Sequence, residues 1–184
     1  IPVSGDIYVQ DGVKGSLQKV FDKGDGSPAL TPKLSKDGEW VAFVRDGEVF
    51  VIPATGGTAK QITFAEADSG KTNGLADYIA QEELHRSDGF WWSPDASYIA
   101  FAEVDETHIP VYRIMHQGKD MVGEGAQEDH RYPFAGQDNP HVRLFVTSRD
   151  GTKTVLMNTE FGHEIYIAHV FWWSDNELGA VCLN

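Results

Sequence analysis

Glu82 and Glu83 stand side by side in the run from Tyr78 to Trp92, YIAQEELHRSDGFWW, just before two adjacent tryptophans. Four chemistries are open to such a pair: a solvated helix face, part of a metal site, an acid/base couple, or a grip for a cation. On a short helix such as Ala76 to Arg86, neighbouring side chains point about 100° apart, and taken alone the pair reads as solvated surface. Two anions near one point repel each other, and a cation placed between them removes that repulsion. An alkylammonium carries three N–H donors and can bond both carboxylates, each charge-assisted bond contributing about 1.5–3 kcal/mol.

Other chemistry-bearing strings are weaker. AEADSGKT, residues 65–72, matches the permissive form of a phosphate-binding loop, with Lys71 and Thr72 at the phosphate positions. Its surroundings contradict that reading: Asn73-Gly74 breaks any following helix, and Glu66 and Asp68 repel phosphate. The string reads as a surface loop. The seven histidines form no H-E-x-x-H or comparable cluster, and His163-Glu164 and His169 are separated by strand-like residues. No metal and no cofactor is expected. A G-x-S-x-G nucleophile elbow is absent from the 184 residues, so no catalytic residue of a hydrolase is located in them.

The elements that must position the glutamates repeat along the chain. Gly5 to Phe21, GDIYVQDGVKGSLQKVF, aligns without a gap with Gly47 to Thr63, GEVFVIPATGGTAKQIT, at an offset of 42 residues. Each holds an apolar strand, a glycine-containing turn and a second short strand, which is a hairpin used twice. A second unit reads LSKDGEWVAFV at Leu34 to Val44 and WSPDASYIAFA at Trp92 to Ala102, with a weaker copy, WSDNELGAVCL, at Trp173 to Leu183. In each, a serine opens a turn around Asp and an apolar strand follows.

A period near 42 with about four short strands per unit marks β-propeller blades. The predicted fold class is therefore all-β: a partial β-propeller of about three blades of antiparallel four-stranded sheet, with a short helical insertion. The serine anchors Ser35, Ser93 and Ser174 lie 58 and 81 residues apart, so insertions interrupt the period. The first falls around Glu66 to Glu82, beside the paired glutamates; the second includes the polar stretch Gly118 to Pro140. Blades are expected at about 29–63 and 90–157, preceded by the last hairpin of one blade and followed by the first strands of another. A ring usually needs at least four blades, so residues 1–184 read as a fragment of a longer polypeptide.

Composition narrows the partners. A formal charge of −13 argues against nucleic acid and anionic membranes and favours cationic ligands. With 41% hydrophobic residues a core is available, and the single cysteine, Cys182, excludes an internal disulfide framework. No apolar run approaches the roughly 18 residues that span a bilayer. The start, IPVSGDIYV, lacks the pattern of a signal peptide, so either the protein is cytosolic or its N-terminal part has been removed.

QEELHRSDGFWWSPDASYIAFAEVDETHIPV, followed by YPFAGQDNPHVRLFV at Tyr132 to Val146, resembles the propeller domain of the dipeptidyl peptidase IV family of serine peptidases. That family carries a double glutamate on a short helical insertion, a WWSP-type blade start, a V-P segment, an extended arm and a Y-P-x-A-G-x-x-N-P string, all found here in order. Gln81 before the pair and Arg86 after it are similar to the bacterial and cytosolic branches. The resemblance implies that Glu82 and Glu83 bind the free α-ammonium of a peptide substrate and so measure off two residues to a catalytic serine. It implies a supporting role for Arg86, which either orients the glutamates or closes the helix end with an ion pair. It further implies an α/β-hydrolase domain bearing Ser, Asp and His, not contained in these residues, release of dipeptides ending in Pro or Ala, and homo-oligomerisation through the insertion at 118–140. The alternatives are a non-catalytic propeller-type module that binds proteins, and a related tripeptidyl peptidase, against which the intact Gln81-Glu82-Glu83 argues.

Overall fold

A computed structural model describes residues 1–66, 69–118, 125–162 and 164–184. Among these residues sixteen strands and one helix follow in chain order: β1 (Pro2–Val3), β2 (Asp6–Gln10), β3 (Leu17–Phe21), β4 (Leu30–Leu34), β5 (Trp40–Arg45), β6 (Glu48–Pro53), β7 (Lys60–Gln61), β8 (Lys71–Asn73), α1 (Tyr78–Glu82), β9 (Phe90–Trp92), β10 (Tyr98–Asp105), β11 (Val111–Met115), β12 (Gln127–Arg131), β13 (His141–Ser148), β14 (Thr154–Leu156), β15 (Tyr166–Ser174) and β16 (Glu177–Leu183). They form a three-stranded sheet β1-β2-β3, a four-stranded sheet β4-β5-β6-β7, a five-stranded sheet in which β14-β13-β10-β8 is joined by β9, and the pairs β11-β12 and β15-β16. All pairings are antiparallel.

Strand alternation explains how the sheets stack. In β5, Val41 and Phe43 join Ile7, Val20 and Phe21 in a first core, whereas Ala42 and Val44 face Phe90, Ile99 and Phe101 in a second. β10 repeats the device: Ile99 and Phe101 pack back onto β5 and β6, and Ala100 and Ala102 pack forward with Val142, Ile167 and Val170. Strands buried on both faces read as near-continuous apolar runs, which is why WVAFV and YIAFA look alike. Three cores between four successive sheets is the blade arrangement that the 42-residue period implies. The repeated hairpins are β2-β3 and β6-β7, and both begin on a positive-φ glycine, Gly5 at 90° and Gly47 at 75°.

The serine turns are built alike. Ser35 Oγ donates to Asp37 and accepts from the Trp40 N–H at 2.9 Å, and Ser93 repeats this with Asp95 and the Tyr98 N–H at 2.9 Å. Ser174 holds the corresponding place at the turn into β16, as the weaker third copy, with its Oγ donating to Glu177 and accepting from the Asn176 N–H. The full serine–aspartate turn also recurs at Ser148, between β13 and β14, whose Oγ donates to Asp150 and accepts from the Lys153 N–H at 3.1 Å. The string S-R-D-G at 148–151 repeats S-K-D-G at 35–38, so this copy was readable from the sequence.

Two expectations are corrected. The helix does not run from Ala76 to Arg86: it spans Tyr78–Glu82, because Glu83 caps it and His85 turns to φ 52°. The first insertion is also not wholly an excursion, since residues 71–73 form β8 and pair with β10 at Glu103, Val104 and Asp105. Lys71 therefore lies on a strand, paired with Asp105 at 3.1 Å, and no helix follows it as a phosphate loop requires. The second insertion includes the antiparallel pair β11 and β12, Val111–Met115 with Gln127–Arg131.

Candidate functional site

The glutamate pair sits in a break of one strand position. β8 and β9 lie one after the other along the same edge of β10, pairing with residues 103–105 and 99–101 respectively. Between them the chain leaves the sheet and returns, and its neck is closed by a bridge between Leu75 and Asp88. Gly89 permits this closure: a Cβ there would collide with the backbone of Gly74 and Leu75. The excursion carries α1.

A five-residue helix is too short to be stable by itself, so its position is set by tertiary contacts. Asp77 is the N-cap, with one carboxylate oxygen accepting from the Ala80 N–H at 3.0 Å. Its other oxygen pairs with the Arg86 guanidinium at 3.4 Å, and both side chains are 6% exposed. Arg86 further donates to the Ile167 carbonyl of β15 at 2.8 Å and to the Asp88 carbonyl. One guanidinium thus ties the helix start, the neck and the neighbouring blade. Burial pulls the Arg86 pKa down, and the charges of Asp77 and Asp88 partly offset this.

At the other side of α1, the Tyr78 and Tyr132 hydroxyls are 3.4 Å apart and their rings meet edge-on at 5.0 Å. The Tyr78 phenol is pushed above its ordinary value, first by its bond with Tyr132, then by burial, and then by the charges of Tyr132, Glu82 and Glu83. Nearby, burial raises the Glu106 carboxyl and Asp77 adds to this, while Arg131 and His108 pull the other way.

Glu82 and Glu83 themselves are exposed. Among the described residues no lysine, arginine or histidine forms an ion pair with either. Arg86, the cation nearest in sequence, turns inward to Asp77. Its place in the fold is the helix-end ion pair, and it reaches the glutamates only through the helix it holds.

The two tryptophans that follow face opposite neighbours. Trp92 donates to the Lys33 carbonyl at 3.1 Å toward the preceding blade, whereas the Trp91 carbonyl accepts from Trp172 at 3.2 Å on the following one. Lys33 adds a 2.8 Å ion pair to Asp88 and a bond to the Phe90 carbonyl. The adjacent WW therefore locks the returning strand between two blades. Glu48 fixes the outgoing one: buried in β6, it accepts from Thr63 Oγ1 at 2.6 Å, the Ala65 N–H at 2.7 Å and Asn73 Nδ2 at 3.0 Å.

The hairpin β11-β12 rises from the end of β10 and returns at β13. His108 and His141, where the chain leaves and rejoins, stack with ring centroids 4.2 Å apart. Arg131 donates to the Thr107 and Ile109 carbonyls at 3.3 and 2.8 Å, closing the base. Part of the 118–140 insertion, residues 119–124, and His163 lie outside the described residues. Among the described residues no group of three or more His, Cys, Asp or Glu is arranged to hold a metal ion, and no helix is long and apolar enough to cross a membrane.

Sequence reading found the pair and the tryptophans, but not Asp77, Tyr78, Tyr132 or Glu48. Asp77 carried a signal, an N-cap type just before the helix. The contacts of the other three span 15 to 54 residues of chain, beyond the reach of local pattern.

Stacked antiparallel sheets, with an exposed carboxylate pair on a helical excursion from one of them, define a partial β-propeller segment. The family profile of the dipeptidyl peptidase IV (DPP IV) N-terminal region matches residues 2–184. The chain belongs to the dipeptidyl peptidase IV family, as part of its N-terminal region. It is 35% identical over 176 residues to a probable dipeptidyl peptidase 4 of Aspergillus fumigatus, covering 91% of this chain and 22% of that protein. It is 28% identical over 117 residues to dipeptidyl peptidase 4 of Felis catus, covering 63% and 15%. Its fold superposes on the crystal structure of Porphyromonas gingivalis dipeptidyl peptidase 4 with a TM-score of 0.79 at 28% identity, covering 91% of this chain and 24% of that one. The chain thus spans less than a quarter of the length of these relatives.

Proposed function

We propose that this chain is the substrate-recognition and gating part of a serine dipeptidyl peptidase, in which Glu82 and Glu83 bind the α-ammonium of the peptide. One observation carries the reading: the pair is exposed on a braced helix while the neighbouring cation, Arg86, is buried against Asp77 and two carbonyls. The charge of the pair is left for an external cation. A peptide ammonium fits it because three N–H donors can serve two carboxylates at once. Held there, the peptide is registered by its end, and the bond two residues on meets a serine nucleophile.

That serine, with its His and Asp, belongs to an α/β-hydrolase domain outside residues 1–184. It attacks the carbonyl of the second residue, Pro or Ala; the histidine takes the serine proton and passes it to the leaving amine, and water then releases the dipeptide. The 184-residue chain alone is expected to be inactive. The hairpin arm with the 118–140 insertion serves self-association.

The test is kinetic, in the full-length protein. Glu82→Gln or Glu83→Gln is expected to lower kcat/KM for a Gly-Pro chromogenic amide by about 1.5–3 kcal/mol, roughly ten- to a hundredfold. Acetylating the substrate N-terminus should cost a similar amount in the wild type and little more in the variants, since both changes delete one interaction. Additive losses, or none, would return the pair to ordinary surface.

A further inference from the structure

We propose that Tyr132 is a positioning residue: through its contact with Tyr78, the β11-β12 arm sets the placement of α1 and so of Glu82 and Glu83. The kinetic consequence rests on the ammonium-binding reading given above; the mechanical link does not.

The helix has two mounts. Asp77 and Arg86 hold its start to the neck and to β15, and that mount acts on the buried side. On the exposed side, the contact comes from Tyr132, with hydroxyls 3.4 Å and ring centroids 5.0 Å apart. Tyr78 opens α1, and Glu82 lies four residues on, one turn above it on the same helix face. A shift of the Tyr78 ring therefore moves the face that bears Glu82. With only five residues, α1 has no internal stiffness to resist it.

Tyr132 is itself held by the arm. Its N–H donates to the Pro110 carbonyl at 3.1 Å, and its neighbour Arg131 bonds the carbonyls of Thr107 and Ile109. Its ring meets Phe134 at 5.1 Å, which meets Tyr112 of β11 at 5.8 Å. The rings form a continuous line, Tyr112, Phe134, Tyr132, Tyr78, from the outward strand of the arm to the first turn of the helix. Edge-on aromatic pairs are directional, so the line transmits orientation as well as proximity. The upward displacement of the Tyr78 pKa by Tyr132, and less strongly by both glutamates, agrees with one compact electrostatic neighbourhood.

Hydrogen–deuterium exchange and steady-state kinetics on the full-length protein test this. The amides of Ala80, Gln81 and Glu83, which close α1, report its stability directly. In Tyr132→Ala they are expected to exchange about two- to tenfold faster while amides of β10 and β13 keep their rates. KM for the Gly-Pro amide should rise by about the same factor with a smaller change in kcat, and turnover of the N-acetylated substrate should not change. Tyr132→Phe keeps the ring contact and should restore both readouts to near wild type. Unchanged exchange of the α1 amides in Tyr132→Ala overturns the proposal, and so does unchanged KM where Glu82→Gln raises it. Faster exchange together with no effect of Glu82→Gln supports the link and sinks the ammonium reading alone.

Discussion

Arg86 places a guanidinium where its charge is costly, and its surroundings show what it does there. A buried cation is tolerated only when its donors are satisfied, and here they meet Asp77, the Asp88 carbonyl and the Ile167 carbonyl. Asp77 divides its two oxygens between the helix cap and the guanidinium, so each partner keeps the other soluble in the interior. Removing one leaves a buried charge without its counterpart. Arg86→Ala is therefore expected to cost about 3–5 kcal/mol in urea denaturation. Asp77→Asn retains a capping oxygen and should cost less. In the Asp77→Asn background the Arg86→Ala loss should shrink, because no lone carboxylate remains; equal losses in both backgrounds would mean that the two residues act separately. The glutamates were legible because both stand in one short string, QEELHR, needing no contact across the chain to be seen together. Arg86 was legible only as a cation near them: its decisive bond, to Ile167, reaches 81 residues along the chain.

The serine turns join element to element, and their chemistry is acid-sensitive. Asp37 is held below its ordinary value chiefly by the Ser35 hydroxyl, Asp95 chiefly by Ser93 and Asp150 chiefly by Ser148, each helped by a backbone N–H. At the blade edge, burial pushes Asp105 up, but the bonds from Thr107 and the Lys71 ammonium outweigh it and hold the carboxyl at about 2. A carboxyl depressed in the folded state binds fewer protons there than in the unfolded chain. Its contribution is full above the ordinary aspartate value and is lost as pH falls through the folded one. The melting temperature is therefore expected to drop between about pH 4 and pH 2. Ser93→Ala removes both the donor to Asp95 and the acceptor for Tyr98, so it should lower stability at pH 6 by about 1–2 kcal/mol and make the acid limb shallower. An acid limb of unchanged slope would place the proton uptake elsewhere. At this scale the sequence was readable where elements repeat: hairpins and serine turns recur because each blade solves the same closure. β8 is hidden in the sequence, since three residues pairing with part of β10 leave no periodicity, and the end of α1 is hidden too, because the chain turns at His85 by a backbone twist that its side-chain type does not announce.

At the scale of the whole molecule, stacking sheet on sheet means that stability is distributed over three inter-sheet cores, each shared by two sheets. The β15-β16 pair buries Ile167 and Val170 on one face, and presents Phe171, Trp173 and Val181 on the other, with Trp173 73% exposed. Phe171 and Trp173 already pack edge-on at 5.0 Å, a surface with the character of the cores but, among the described residues, without a facing sheet. The β11-β12 hairpin exposes Val111, Tyr112, Ile114 and Met115 as well. Contiguous apolar surface of this kind drives association, and two open strand edges beside it assist pairing. The 184-residue chain is expected to self-associate at micromolar concentration, read by light scattering over a dilution series. The two surfaces separate by substitution: Trp173→Ser with Val181→Ser should weaken association if the sheet face drives it, and Ile114→Lys with Met115→Lys if the hairpin does. In the full-length protein we expect only the hairpin substitutions to act, because the sheet face has the form of a blade interface and the hairpin projects beyond it. A clean monomer of the 184-residue chain at every concentration would show that neither surface is sticky enough to matter.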